Sequence, residues 1–200
     1  HQMTFAAGLA AAGLRPVVAV YSTFVQRAID GIIHDVALQK LPVLICLDRA
    51  GVVPGDGPTH HGIFDIALLR PVPDLVLMQP RTCADLSRML RTSLTLPYPV
   101  AIRYPRANCP CTDVDNGETI PIGRAIEIGR VSPSSPIASL PEYAVAVWTL
   151  GPEDDFSQAV ADRLAEKGIG TIRIDARFAK PIDRDLLLAQ ADSGVRVILT

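Results

Sequence analysis

Asp48-Arg49-Ala50-Gly51-Val52-Val53-Pro54-Gly55-Asp56-Gly57-Pro58-Thr59-His60-His61-Gly62-Ile63-Phe64-Asp65 follows directly on Leu41 to Leu47, an apolar run that reads as a buried strand. Four glycines, two prolines, three acids, one arginine and two histidines make it a polar loop. Open parallel sheets bind ligands beyond the carboxyl ends of their strands, so a loop of this chemistry in this position is a candidate site. Arg49 can pair with a phosphate or carboxylate, Asp56 and His60 can hydrogen-bond hydroxyls, and the glycines let the backbone approach a ligand closely. The same composition also suits a long solvated connection, because surface loops are rich in Gly, Pro and Asp.

Outward from this loop the chain alternates between strand and helix patterns. Gln2 to Gly13, rich in alanine and leucine and closed by glycine, predicts a helix, and Pro16 to Val20 a short strand that ends at Tyr21. Ser22 or Thr23 can cap a following helix that carries Phe24, Arg27, Ile29, Ile32, Ile33 and Val36 towards Lys40. Phe24 and Arg27 share one face of it near the strand ends; taken alone they read first as a core aromatic and a solvated or paired charge. His34 reads as a satisfied core or boundary histidine.

Past the loop, Ile66 to Leu69 predicts a short helix, Leu75 to Met78 a strand, Thr82 to Leu94 a helix with Leu86, Met89 and Leu90 inward, and Val100 to Ile102 a strand. That is the pattern of an α/β fold, a parallel sheet with helices on both faces. Arg103-Tyr104-Pro105-Arg106 then begins where a strand ends, and two arginines so placed suit a phosphate, although Arg103 suits a structural ion pair equally. Residues 1–106 thus form a first domain. Residues 107–142, rich in proline, serine and glycine with only Ile120 to Ile128 offering a strand or two, read as a linker. A second α/β domain over 143–200 has strands at Ala144 to Leu150, Thr171 to Ile174 and Val195 to Leu199, with helices at Pro152 to Lys167 and Arg184 to Ala191.

Two hundred residues with 48% hydrophobic content are enough for one large or two small cores. A net charge of −2 without any basic run argues against a nucleic-acid partner, and no apolar stretch reaches the roughly 20 residues that span a bilayer. Cys46, Cys83, Cys109 and Cys111 lack a second closely spaced pair to complete a zinc site, so reduced structural thiols and no metal are expected. Adjacent histidines such as His60 and His61 are a poor chelating pair on their own. The chain opens at His1 inside a helical pattern without an initiator methionine, which predicts a piece of a longer protein.

The wording of these segments resembles one family. Asp48-Arg49-Ala50-Gly51 with Gly55-Asp56-Gly57-Pro58-Thr59-His60, then Tyr21-Ser22-Thr23-Phe24-Val25-Gln26-Arg27, His34-Asp35-Val36-Ala37-Leu38-Gln39-Lys40-Leu41-Pro42-Val43, Arg103-Tyr104-Pro105-Arg106 and Phe178-Ala179-Lys180-Pro181 all resemble the 1-deoxy-D-xylulose-5-phosphate synthases. These are thiamine-diphosphate enzymes related to transketolase. Transketolase proper shares Asp-Gly-Pro-Thr-His, and dehydrogenase E1 beta chains share the architecture, but neither resembles Asp-Arg-Ala-Gly or Tyr-Ser-Thr-Phe.

The resemblance implies a thiamine-diphosphate-binding fold, with the pyrimidine domain followed by a truncated transketolase C-terminal-like domain. It implies a transferase that condenses pyruvate with D-glyceraldehyde 3-phosphate, with loss of carbon dioxide, on the pathway to isoprenoids, terpenoids and thiamine. Phe24 would stack on the cofactor's pyrimidine and Arg27 line that pocket. Tyr21, Arg49 and Arg106 would surround the acceptor's phosphate, while Asp56 and His60 would bind its hydroxyls and shuttle protons as the catalytic pair. The thiamine diphosphate itself and Mg2+ would be anchored mainly by an amino-terminal domain outside this chain, so the chain alone is expected to be inactive.

Further expectations from the resemblance are a homodimer and a cytoplasmic location in a bacterium, or a plastid. His61 departs from the glutamine expected after His60, which touches only the loop's outer contacts. Two other readings fit the same residues: a split transketolase-like or E1-beta-like subunit that meets its partner as a separate chain, and a non-catalytic binding or assembly module.

Overall fold

The computed structural model of the chain describes residues 1–108, 116–139 and 142–200. It divides into two compact units, His1–Ile120 and Pro121–Thr200. Cys109 and Cys111 lie outside the described residues. Among the described residues, no helix is long and apolar enough to cross a membrane.

The first unit is a parallel sheet of β1 (Val17–Tyr21), β2 (Leu44–Asp48), β3 (Val76–Met78) and β4 (Val100–Arg103) in the order β1-β2-β4-β3. Leu44 to Leu47, all of β3 and all of β4 are buried. Successive strand residues point to opposite faces, so an uninterrupted buried run means that both faces are covered. Helix α1 (Gln2–Ala11) buries Met3, Ala6, Ala7 and Ala10, and α5 (Cys83–Thr95) buries Met89, Thr92 and Ser93. Thr82 caps α5 by accepting the amide of Asp85 at 3.1 Å. Ile120 belongs here because its amide donates to Thr92 Oγ1 at 2.8 Å.

The helix predicted from Ser22 to Lys40 is broken. It runs as α2 (Ser22–Val25), a 3-10 turn (Gln26–Ala28), α3 (Ile29–Gly31) and a π turn (Ile32–Ala37). In the π turn the amide of Leu38 reaches Ile33 O at 2.9 Å, and that of Leu41 reaches Val36 O at 3.0 Å. This widened winding puts Ile32, Val36 and Ala37 inward together, which an even α-helical period would not do. His34 lies on the outer side, exposed and 3.0 Å from Asp30 Oδ1, so it is a surface residue and not a core or boundary one. Strand β2 starts three residues later than the apolar run predicts, since Lys40 has φ 53° and Pro42 has no amide to give the ladder. A short helix, α4 (Asp65–Leu69), follows the central loop.

The second unit holds a sheet in the order β5-β7-β6-β9, from β5 (Ile126–Val131), β6 (Val145–Thr149), β7 (Thr171–Asp175) and β9 (Arg196–Leu199); a short strand β8 (Phe178–Lys180) follows β7. Strands β7, β6 and β9 are parallel, and β5 runs antiparallel at the edge. Trp148 is the centre of its core, with Ile172 and Ile174 beside it, and its indole N–H donates to Gln190 Oε1 at 2.7 Å. Helices α6 (Asp154–Glu166) and α7 (Arg184–Asp192) supply the cover, α7 capped by Asp183, which accepts the amide of Leu186 at 3.1 Å. Both units are mixed α/β, with parallel strands and helices, as the alternation of patterns predicts.

Cys46 is free and buried in β2. Cys83 is disulfide-bonded, which corrects the expectation of a reduced thiol there.

Candidate functional site

Parallel register sets the site's floor. Tyr21, the last residue of β1, pairs with Asp48, the last of β2, and Leu47 pairs with Arg103, the last of β4. Three strands therefore end side by side, and the polar loop rises from the middle one. Arg49 turns the chain out of β2 in the left-handed region at φ 58°, where a non-glycine residue is uncommon. Its amide is held by Asp48 Oδ1 at 2.7 Å.

Reciprocal backbone hydrogen bonds then close the loop at its neck, Gly51 N to Gly62 O at 2.9 Å and Gly62 N to Gly51 O at 2.8 Å. A Cβ on Gly62 would run into Ser22 Oγ and stand 2.5 Å from Arg49 O, so only glycine lets these three segments meet. Inside the loop, His61 Nδ1 accepts the amide of Val53 at 3.0 Å, and Thr23 Oγ1 donates to Thr59 O at 3.0 Å. His61, the departure from the expected glutamine, thus ties the loop internally.

All seven residues singled out in the sequence fall into one contiguous set. Tyr21 and Phe24 are stacked with ring centres 5.9 Å apart and planes at 8°, and His60 stands edge-on to both, at 6.4 Å and 5.6 Å. The Arg27 guanidinium carbon is 5.7 Å from the Phe24 ring centre, and that of Arg49 is 3.9 Å from the Tyr21 ring centre. Arg49 Nε donates to Asp56 Oδ2 at 3.0 Å, and Arg106 Nη1 donates to Asp56 Oδ1 at 2.9 Å. Arg49 also pairs with Asp48. Desolvation pulls the Arg49 pKa down, but the hydrogen bond to Asp56 and the charges of Asp48 and Asp56 outweigh it, so the net shift is upward and the guanidinium stays charged.

The two arginines do share one anion, and that anion is Asp56. Beside them a cavity of about 420 Å³ is lined by Val52, Pro54, Gly55, Pro105 and Arg106, among others.

Arg103 takes the structural ion pair that the sequence allowed for it, with Asp65, a residue the sequence did not single out. Asp65 is buried, and its Oδ2 accepts from Arg103 Nε at 2.9 Å and from Ser22 Oγ at 2.8 Å. Its Oδ1 accepts the amide of Ile66 at 2.8 Å. Arg103 is also hydrogen-bonded to Gln79. Arg103 is therefore consumed by a buried ion pair, and Arg106 is the arginine of that run that faces the loop. The only signal in the sequence was an acid at the loop's end, opening a helix.

Phe24 keeps 38% of its surface exposed, so part of the Tyr21–Phe24 stack is open to solvent beside Arg27. Among the described residues, no three His, Cys, Asp or Glu side chains are grouped to hold a metal ion. The stacked rings and the arginines beside them are the groups of this site that suit a flat ring and an anion.

Comparison with known proteins is consistent across sequence and structure. Residues 1–112 match the family described as the transketolase pyrimidine-binding domain. The chain is 46% identical over 198 residues to 1-deoxy-D-xylulose-5-phosphate synthase from Anaeromyxobacter dehalogenans, covering 99% of this chain and 30% of that protein. It is 48% identical over 201 residues to the synthase of the same name from Gloeobacter violaceus, again covering 99% and 30%. The chain therefore spans about 30% of the length of the curated relatives it matches. A solved structure described as "split gene transketolase, inactive beta4 tetramer" superposes with a TM-score of 0.82 at 27% identity, over 99% of this chain and 61% of that one.

Proposed function

The chain belongs to the transketolase family through its pyrimidine-binding domain, and on that premise we propose that it is the pyrimidine-binding and partial C-terminal portion of a 1-deoxy-D-xylulose-5-phosphate synthase. The observation that carries this reading is the unbroken run of contacts Phe24–Tyr21–Arg49–Asp56–Arg106, which joins an aromatic face to a pair of arginines at the carboxyl edge of one parallel sheet. A synthase that acts on a phosphorylated aldehyde beside a flat cofactor ring needs those two features next to each other.

The proposed substrates are pyruvate and D-glyceraldehyde 3-phosphate, and the cofactor thiamine diphosphate with Mg2+. When bound, the cofactor would supply the carbanion chemistry that decarboxylation of pyruvate requires. Phe24 and Arg27 line the pyrimidine pocket, and Tyr21, Arg49 and Arg106 orient the acceptor through its phosphate. Asp56 and His60 meet the acceptor's hydroxyls, with His60 the proton carrier next to the ring stack.

The remainder of the cofactor site we assign to a segment outside these 200 residues, supported by the 30% coverage of the relatives and by the exposure of Val52, Ile63 and Phe64 at the loop. On this reading the chain alone does not turn over pyruvate, and in calorimetry it takes up no thiamine diphosphate at micromolar concentration. The complete enzyme is read as a cytoplasmic bacterial homodimer, in keeping with its bacterial relatives.

The test is Arg106→Ala in the full-length enzyme. The KM for glyceraldehyde 3-phosphate should rise roughly tenfold to a hundredfold, as loss of one charge-assisted contact to phosphate implies, with little change for pyruvate. Equal effects on both substrates would make Arg106 structural. A second reading, a split transketolase-like subunit, is favoured only by the superposition on a split-gene transketolase. Micromolar binding of thiamine diphosphate by this chain would bring it forward.

A further inference from the structure

Asp56, proposed above to meet the acceptor's hydroxyls once substrate is bound, stands between the two guanidiniums proposed for the phosphate. Its two carboxylate oxygens are divided between the two guanidiniums, Oδ2 to Arg49 Nε at 3.0 Å and Oδ1 to Arg106 Nη1 at 2.9 Å. A phosphate monoester between the same arginines would use the same donors. The Asp56 side chain is 22% exposed and that of Arg49 19%, whereas Arg106 is 58% exposed, so an incoming anion meets the clamp on the Arg106 side.

The charges point the same way. Arg49 and Arg106 carry two positive charges, Asp48 and Asp56 two negative ones, and the closed cluster is neutral. A monoanion entering it gains nothing over the resident carboxylate. A phosphate dianion brings twice the charge and more acceptor oxygens, which suits bidentate guanidinium pairing.

Resting on the phosphate reading above, we propose that Asp56 is a built-in counter-anion: it holds Arg49 and Arg106 in place while the site is empty, and the phosphate must displace it to bind. Asp56 therefore weakens phosphate binding and restricts the clamp to dianions. The loop is built for such an exchange. Its neck is pinned by the Gly51–Gly62 pair, while Asp56 lies midway between these glycines, next to Gly55 and Gly57, the latter at φ 79°.

The experiment titrates the purified 200-residue chain with inorganic phosphate at pH 8, followed by 31P line broadening, for the wild type, Asp56→Asn, Asp56→Ser, Arg106→Ala and Asp56→Asn with Arg106→Ala. Thermal melting checks that each variant is folded. Both Asp56 variants should bind phosphate about tenfold more tightly than the wild type, because the ligand no longer has to displace a charged partner from the two guanidiniums. Adding Arg106→Ala should abolish that gain. The use of two neutral replacements of different shape separates charge from a local folding defect. If Arg106→Ala weakens binding while both Asp56 variants bind no more tightly than the wild type, the counter-anion is refuted and the phosphate site stands. If Arg106→Ala changes nothing, or no variant binds phosphate, the phosphate reading falls and this inference with it.

Discussion

The Arg49 guanidinium carbon lies 3.9 Å from the centre of the Tyr21 ring, so the last residue of β1 holds the first residue beyond β2 by its π face. The contact orients Arg49 Nε towards Asp56 and presents the other face of the stack to Phe24. Tyr21→Phe preserves this arrangement and Tyr21→Leu removes the quadrupole that attracts the cation. In the full-length synthase proposed above, Tyr21→Leu should raise the KM for the proposed phosphorylated acceptor roughly twofold to thirtyfold, with Tyr21→Phe close to wild type. Similar losses for both variants would assign the effect to the hydroxyl.

Gly62→Ala should destabilise the first unit by about 1–3 kcal/mol, the usual cost of forcing a methyl into filled space. The new carbon would meet Ser22 Oγ and the Arg49 carbonyl, and a main-chain carbonyl at the loop's neck cannot rotate away as a long side chain would. Denaturant unfolding followed by far-ultraviolet dichroism measures this. An unchanged midpoint would mean that the neck opens freely.

Breaking the Asp65–Arg103 pair should cost more. Asp65 is 1% exposed and Arg103 8%, so Asp65→Ala strands a buried guanidinium and should cost about 3–5 kcal/mol. Replacing both, Asp65→Leu with Arg103→Met, should recover most of that loss, since it removes two buried charges together. The same denaturant series reports it. A double variant as unstable as Asp65→Ala would show that Ser22 or the Ile66 amide, both held by Asp65, carries the stability instead.

Burial pushes the Cys46 thiol above its ordinary pKa. The unfolded chain therefore ionises there first. Stability from this group is fully present below the ordinary thiol range and is lost as pH climbs through the raised folded value. Cys46→Val should consequently lose less stability than the wild type between pH 7 and pH 10. Peptide mapping after alkylation should also find Cys46 unmodified until denaturant is added; rapid native modification would contradict its burial.

The alternation of apolar strands and helical patterns was enough to read a parallel α/β first unit, because short apolar runs separated by helix-length segments suit strands covered on both faces. That reading put Tyr21, Arg49 and Arg106 near strand ends, and the wording of Asp48-Arg49-Ala50-Gly51 and Tyr21-Ser22-Thr23-Phe24 carried the family resemblance. Local sequence could not say which partner each charge would take. Arg103 and Arg106 look alike in Arg-Tyr-Pro-Arg, yet the pleat turns Arg103 inward to Asp65 and leaves Arg106 at the loop. His34 reads as a core or boundary residue in an even helix, and it is exposed in the segment that winds as a π turn. Asp56 reads as a hydroxyl ligand by resemblance, and only the folded loop brings it between two guanidiniums that stand 7 and 50 residues away in the chain. Period and composition act over a few residues, so they were legible at once. Coulomb pairing acts across space, so which carboxylate neutralises which guanidinium was decided only when β1, β2 and β4 had been laid side by side.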